Sequence, residues 1–182
     1  MWIIVPIALV AVAVWGLLAR ARLLRLRRHA ELYWDEMSAH LESRWQLIPQ
    51  LLNAIRTVMP ERDALLDHVE AARGRAMEAE TLPEHALCER ELNDAMFRVL
   101  ALFLERTAFQ EDAAIRSMEV RLAEADDAIQ MARTKYNDIV FELNRTVTTF
   151  PRSLVASLSG VKACDYYACP GEEPDRIEKG LI

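Results

Sequence analysis

The chain has 182 residues, of which 22 are basic and 28 acidic, for a formal net charge of −6; so acidic a body excludes general nucleic-acid binding, which needs a basic surface against phosphate. Glycine (5) and proline (7) are scarce, and Ala, Leu, Glu and Arg dominate, which favours one helical domain plus an N-terminal segment. The five glycines stand isolated at 16, 74, 160, 171 and 180, which excludes the glycine-rich loops that bring backbone N–H groups up to a phosphate.

Residues 1–19, MWIIVPIALVAVAVWGLLA, carry no charge. As a helix they run about 28 Å, close to the hydrocarbon thickness of a bilayer, and predict a transmembrane anchor. A cleavable signal peptide opens with a basic region and closes on small residues. Here the basic cluster follows the apolar run, and Trp15 stands where an interfacial anchor belongs. Residues 20–33 then form a basic juxtamembrane helix containing Arg20, Arg22, Arg25, Arg27 and Arg28, and no acid precedes Glu31. These five arginines leave 17 basic residues against 28 acidic ones in the remainder. Excess arginine marks the cytoplasmic flank, so the short N-terminus is expected outside and the bulk of the chain in the cytoplasm. The same arginines attract anionic lipid, by about 1 kcal/mol for each one near the surface. Three cysteines (88, 164, 169) make no disulfide framework, as suits a reducing compartment.

Residues 34–167 read as a helical bundle. Leu41, Trp45, Ile48, Leu52, Ile55 and Met59 step by 4 and 3 along the first helix, a heptad seam. Pro49 interrupts it and removes one backbone donor, which predicts a local kink rather than a stop. MPERD, residues 59–63, is a corner with Pro60 in the first turn of a second helix over about 61–79. Its seam is Leu65, Val69, Ala72 and Ala76. Thr81 as a cap and Pro83 early in the next turn open a third helix over about 84–107, with Cys88, Leu92, Ala95, Val99 and Leu102 on its seam. The fourth runs from Ile115 through Leu122, Ile129, Tyr136 and Leu143 to Phe150, about 53 Å. Residue 150 precedes a proline, which ends it.

The predicted fold is therefore all-α: a transmembrane helix continuing into an antiparallel four-helix bundle with long first and last helices. A continuous coiled-coil dimer is the rival, and Pro60 and Pro83 count against it; self-association of the bundle stays open. Residues 153–167 are apolar and short, expected as one irregular turn over the bundle end. The tail, 168–182, is polar and rich in Pro and Gly and is predicted to be disordered.

Chemistry is sparse. No His has a Glu three residues before it, which removes the di-iron bundle site, and His-Glu-x-x-His is absent. His85, Cys88 and Glu91 share a helical face, but helical spacing brings many unrelated side chains together, and Cys88 fits the seam as a small apolar residue. Cys164 and Cys169 lack a second pair and read as free thiols. Ser159 and Lys162 match S-x-x-K without its companion motifs. No catalytic residue, cofactor or metal is expected. Asn137 and Asn144, one heptad apart beside the last seam, are expected to reach a facing helix and fix its register.

Two blocks carry a resemblance. In the first, Leu41, Arg44, Leu47, Ile48, Pro49, Leu51 and Leu52 match. In the second, Glu124, Ile129, Ala132, Arg133, Tyr136, Asn137, Val140, Asn144, Phe150, Pro151 and Leu154 match, with Tyr166-Tyr167 standing where relatives tend to carry an aromatic pair. Together with the N-terminal span they resemble the LemA family of bacterial membrane proteins. That resemblance implies a single-pass bundle of the bacterial inner membrane with its soluble part in the cytoplasm, and it supplies no catalytic activity. The expected role is a non-enzymatic scaffold or adaptor. Its partners are the bilayer through residues 1–19 and a protein met at the ends of the long helices or at 153–167. The alternative is an envelope-stress or signalling component coupling membrane to cytosol, for which Pro49 is the motivating feature.

Overall fold

A computed structural model describes residues 4–58, 63–104 and 113–169. Five helices follow in order: α1 (Ile4–Val58), α2 (Asp63–Glu78), α3 (Leu82–Leu104), α4 (Ala113–Thr148) and α5 (Arg152–Ser159). No strand occurs among the described residues. Of the predicted corner at 59–63, residues 59–62 lie outside them, as does the tail from 170 onward. The long α1 contains Pro49 without ending there. Removing the amide proton at that position deprives the Trp45 carbonyl of its helical donor, yet one missing bond does not stop a helix whose neighbours Ile48, Leu51 and Leu52 are buried.

The chain divides into two compact units, and each uses part of α1 and of α4. Unit 1 comprises residues 1–35 and 134–166; unit 2 comprises 36–133 and 167–182.

Unit 2 packs around an apolar core of Ile48, Leu51, Leu52 and Ile55 from α1, Leu66, Val69, Ala72 and Ala76 from α2, Leu92, Ala95, Met96 and Val99 from α3, and Ile115 and Leu122 from α4. The predicted seams of α1, α3 and α4 supply most of these positions. In α2, Val69, Ala72 and Ala76 are core residues as predicted and only the first position differs, since Leu66 is buried while Leu65 lies against the core. Helix ends follow local chemistry. Arg56 near the end of α1 holds Asp63 and Asp67, both at 2.8 Å, at the start of α2. The Thr81 carbonyl accepts the first helical bond of α3 from His85 N–H at 2.8 Å. Glu84 reaches back to accept from the Glu80 amide at 3.2 Å, a variant of the capping box.

Unit 1 has its own cluster. Leu23 and Leu26 of α1, Leu143 of α4, Ala156 of α5 and Val161 beyond it are buried together, with Ile139, Val147 and Val155 against them. The expectation of one irregular turn after Pro151 is replaced by a two-turn helix. Thr149–Pro151 turns the chain out of α4, with a cis peptide bond between Phe150 and Pro151. Gly160 then closes α5 in the left-handed region at φ 67°. Val161 N–H donates to Ala156 O at 3.1 Å and Gly160 N–H to Ser157 O at 3.2 Å, the paired bonds of a Schellman stop, which glycine permits because it lacks Cβ. A strap without regular secondary structure, residues 161–169, follows. Ala168 and Cys169, assigned above to a disordered tail, are buried in unit 2. Short apolar residues next to a Pro-Gly segment carry too little local pattern to reveal that burial.

Candidate functional site

Arg44 is the most unusual residue of unit 2. It lies beside the α1 seam, where helical spacing turns it into the core, and only 2% of its surface is exposed. A buried guanidinium needs partners for its charge and its five donors. Its Nη1 donates to Glu89 Oε2 at 2.5 Å, and its Nη2 donates to Asn93 Oδ1. Nε sits 2.7 Å from Asp126 Oδ1, but its N–H is not aimed for a hydrogen bond; that contact is charge attraction alone. Trp45 Nε1 donates to the second Glu89 oxygen at 2.6 Å. Side chains of α1, α3 and α4 thus converge on one charged node.

Beside the node opens a cleft of about 530 Å³ lined by Arg44, Glu89, Asn93, Asp126, Arg133 and Tyr167, among others. Arg133 Nε donates to the Tyr167 carbonyl at 3.1 Å, and Cys169 Sγ donates to Ala86 O at 3.3 Å, so the strap's last residues form part of the wall. Burial pushes the Glu89 carboxyl above its usual range, against the opposing pull of Arg44 and the Trp45 hydrogen bond. Asp126 is raised by burial as well, again opposed by Arg44. Burial also raises the Tyr167 phenol, and Glu89 adds to that rise.

The residues singled out from sequence take different places. In unit 1 Asn144 does not reach a facing helix. Its Nδ2 donates to the Cys164 carbonyl and its Oδ1 accepts from the Cys164 amide, both at 2.9 Å. The carboxamide therefore satisfies both polar groups of one strap residue, as a β-strand partner would. Tyr136, buried, donates from its hydroxyl to the Asp165 carbonyl at 3.0 Å, and its ring meets Trp34 edge-on at 6.2 Å. Burial raises this phenol too, with Cys164 and Asp165 adding to the effect. Asn137 is half-buried, as is Pro49, while Phe150 and Pro151 are exposed at the corner. Of the five arginines, Arg22 pairs with Glu142 at 2.6 Å and Arg27 with Glu31 at 3.2 Å; both pairs are solvated and worth little. All five arginines are exposed.

The shared face of His85, Cys88 and Glu91 is not gathered into a ligand set. The His85 ring stacks on Trp45 at 6.3 Å, and Glu91 accepts from Arg75 at 3.1 Å. Among the described residues no three His, Cys, Asp or Glu converge to hold a metal. Burial lowers the His85 imidazole and raises the Cys88 and Cys164 thiols, so both thiols are held protonated, the less nucleophilic form. Glu89, Asn93 and Asp126 escaped sequence reasoning. The available signal was Arg44 itself, a charge turned toward the core that obliges an acid on a neighbouring helix.

One described helix is long and apolar enough to cross a membrane, and its most apolar window is wholly unburied. An all-α chain whose N-terminal apolar helix continues into a bundle belongs to the class of helical-bundle proteins with a candidate membrane anchor. Residues 33–178 match the LemA family, and the chain belongs to that family. The match takes in Arg44, Arg133, Tyr136 and Asn144, the residues that make the node and grip the strap. No curated protein matches the chain.

Proposed function

We propose that the protein is a non-catalytic scaffold or adaptor tethered to a bacterial inner membrane, with its arginine-flanked end and the bundle on the cytoplasmic side. The observation that carries this reading is α1. Ile4, Leu9, Leu17 and Leu18 are each about two-thirds exposed at 67%, 66%, 66% and 66%, an apolar surface that water disfavours. The same helix runs on to Val58, so the apolar run and a wall of the bundle belong to one continuous helix. The five arginines follow the apolar run directly, the arrangement that keeps a flank in the cytosol.

Affinity capture of the full chain from detergent-solubilised membranes tests the scaffold. A stoichiometric protein partner is expected; recovery of the chain alone in several mild detergents overturns it. Orientation is tested separately with an impermeant thiol reagent on intact cells. Cys164 should label only after lysis, and labelling of intact cells reverses the topology.

A signalling role coupling the bilayer to a cytosolic partner is supported by Pro49 standing inside the helix that joins the two units. If that position yields, Pro49→Ala will change the protease digestion pattern of the soluble part. An unchanged pattern removes this second reading.

A further inference from the structure

In unit 1, α5 carries an exposed apolar face. Leu154 and Leu158 lie four residues apart on one face of α5, Phe150 stands in the turn just before it, and the three are 59%, 90% and 76% exposed. Ala156, on the opposite face of the same short helix, is buried with Leu23 and Leu26 of α1. Leu23 follows Ala19, the last residue of the apolar run, by four positions, about 6 Å along the helix axis. The headgroup layer on each side of a bilayer is of that thickness, roughly 5–8 Å. With the span in a membrane, the cluster that α5 shares with α1 therefore begins at the depth of the headgroups.

Charge points the same way. In a chain with 28 acidic residues, residues 143–164 contain Arg145, Arg152 and Lys162 and no acid, and residues 1–30 contain five arginines and no acid. Arg145, Arg152 and Lys162 are all exposed. An apolar stripe bordered by cations is the pattern of a helix that lies in the interface of an anionic leaflet, with its apolar residues at the acyl boundary. We propose that α5 is such an interfacial helix, seating Phe150, Leu154 and Leu158 in the cytoplasmic leaflet beside the span and selecting anionic lipid through the surrounding basic residues. This inference rests on the reading that α1 crosses the bilayer.

The full chain, carrying a benzophenone amino acid in place of Leu158, Leu9 or Met131 in turn, is reconstituted in vesicles of phosphatidylcholine with phosphatidylglycerol and irradiated. Met131, 61% exposed, is the apolar control in unit 2. Lipid adducts are expected at Leu9 and Leu158, severalfold above Met131. The Leu158 adduct should fall severalfold in pure phosphatidylcholine and in the R152E/K162E variant, while the Leu9 adduct holds. An adduct at Leu9 without one at Leu158 overturns the interfacial helix and leaves the anchor standing. No adduct at Leu9 removes the anchor and the inference with it. Labelling at Met131 equal to that at Leu158, or crosslinking of Leu158 to a second copy of the chain, overturns the inference, and an unchanged Leu158 adduct in pure phosphatidylcholine overturns the lipid selectivity.

Discussion

Arg44→Met will destabilise unit 2 by about 3–5 kcal/mol, the usual cost of removing one member of a buried ion pair. Methionine keeps much of the arginine's length and apolar stem, so the loss is mainly electrostatic. Glu89, whose side chain is 7% exposed, is left with one hydrogen bond, from Trp45, and no opposing charge. Asp126 suffers less, because its side chain is 47% exposed and water can solvate it. A double variant, Arg44→Met with Glu89→Leu, should recover most of the loss, since replacing both members of a buried pair by apolar groups is often neutral.

The penalty will depend on pH, with a definite sign. The folded-state value of Glu89 lies above its ordinary 4.5 because burial outweighs the pull of Arg44. A carboxyl raised by folding contributes stability that is complete below the unfolded value and is lost as pH rises through the folded one. Deleting Arg44 removes a lowering influence and widens that window upward. The difference between the parent and Arg44→Met should then be smaller near pH 4 than at pH 7, in the protonation range of an ordinary carboxyl. Denaturant titrations of the full chain at both pH values measure it. Equal penalties at the two values would mean that the loss comes from packing and not from an uncompensated charge.

Asn144→Ala will release the strap of unit 1. It removes two hydrogen bonds and leaves the amide and carbonyl of Cys164 without their partner, a cost of about 2 kcal/mol for part-buried groups. The loss is local, so it will show best in local opening and less in global unfolding. Cys164 is half-buried, and burial raises its thiol. A maleimide should therefore label it faster in the variant by roughly thirtyfold, the equivalent of that free energy. Cys88, in unit 2, should keep its rate. Acceleration at both thiols would show general loosening, and no acceleration at Cys164 would show that Tyr136 and the buried Val161 hold the strap without Asn144.

Much of this molecule is legible from local pattern. The step of 3 and 4 residues that places Leu41, Ile48, Leu52 and Ile55 on one face of α1 also places them in the core, because burial of an apolar stripe follows from the helical repeat whatever lies opposite. Pro83 in the first turn of α3 and Pro151 just past α4 are legible in the same local way, because proline is tolerated where a helix begins and disfavours helix in the residue before it. The role of Asn144 was not legible in the same way. Position beside a seam suggested a facing helix, whereas its partner is the backbone of a segment twenty residues later. A backbone carbonyl carries no side-chain signature, so nothing in the composition of the strap announces that it will be gripped.

The sequence by itself determined the helices, the apolar N-terminal span, the arginine flank and the family motifs, since each depends on neighbours within one or two helical turns. Only the tertiary structure decided which acid answers Arg44, that α4 uses Tyr136 and Asn144 to hold the strap, and that α5 buries Ala156 while leaving Leu154 and Leu158 outward. Those outcomes depend on pairs such as Arg44 and Glu89, 45 residues apart, whose meeting is set by the packing of whole helices and by the need to satisfy each charge and amide once water is gone.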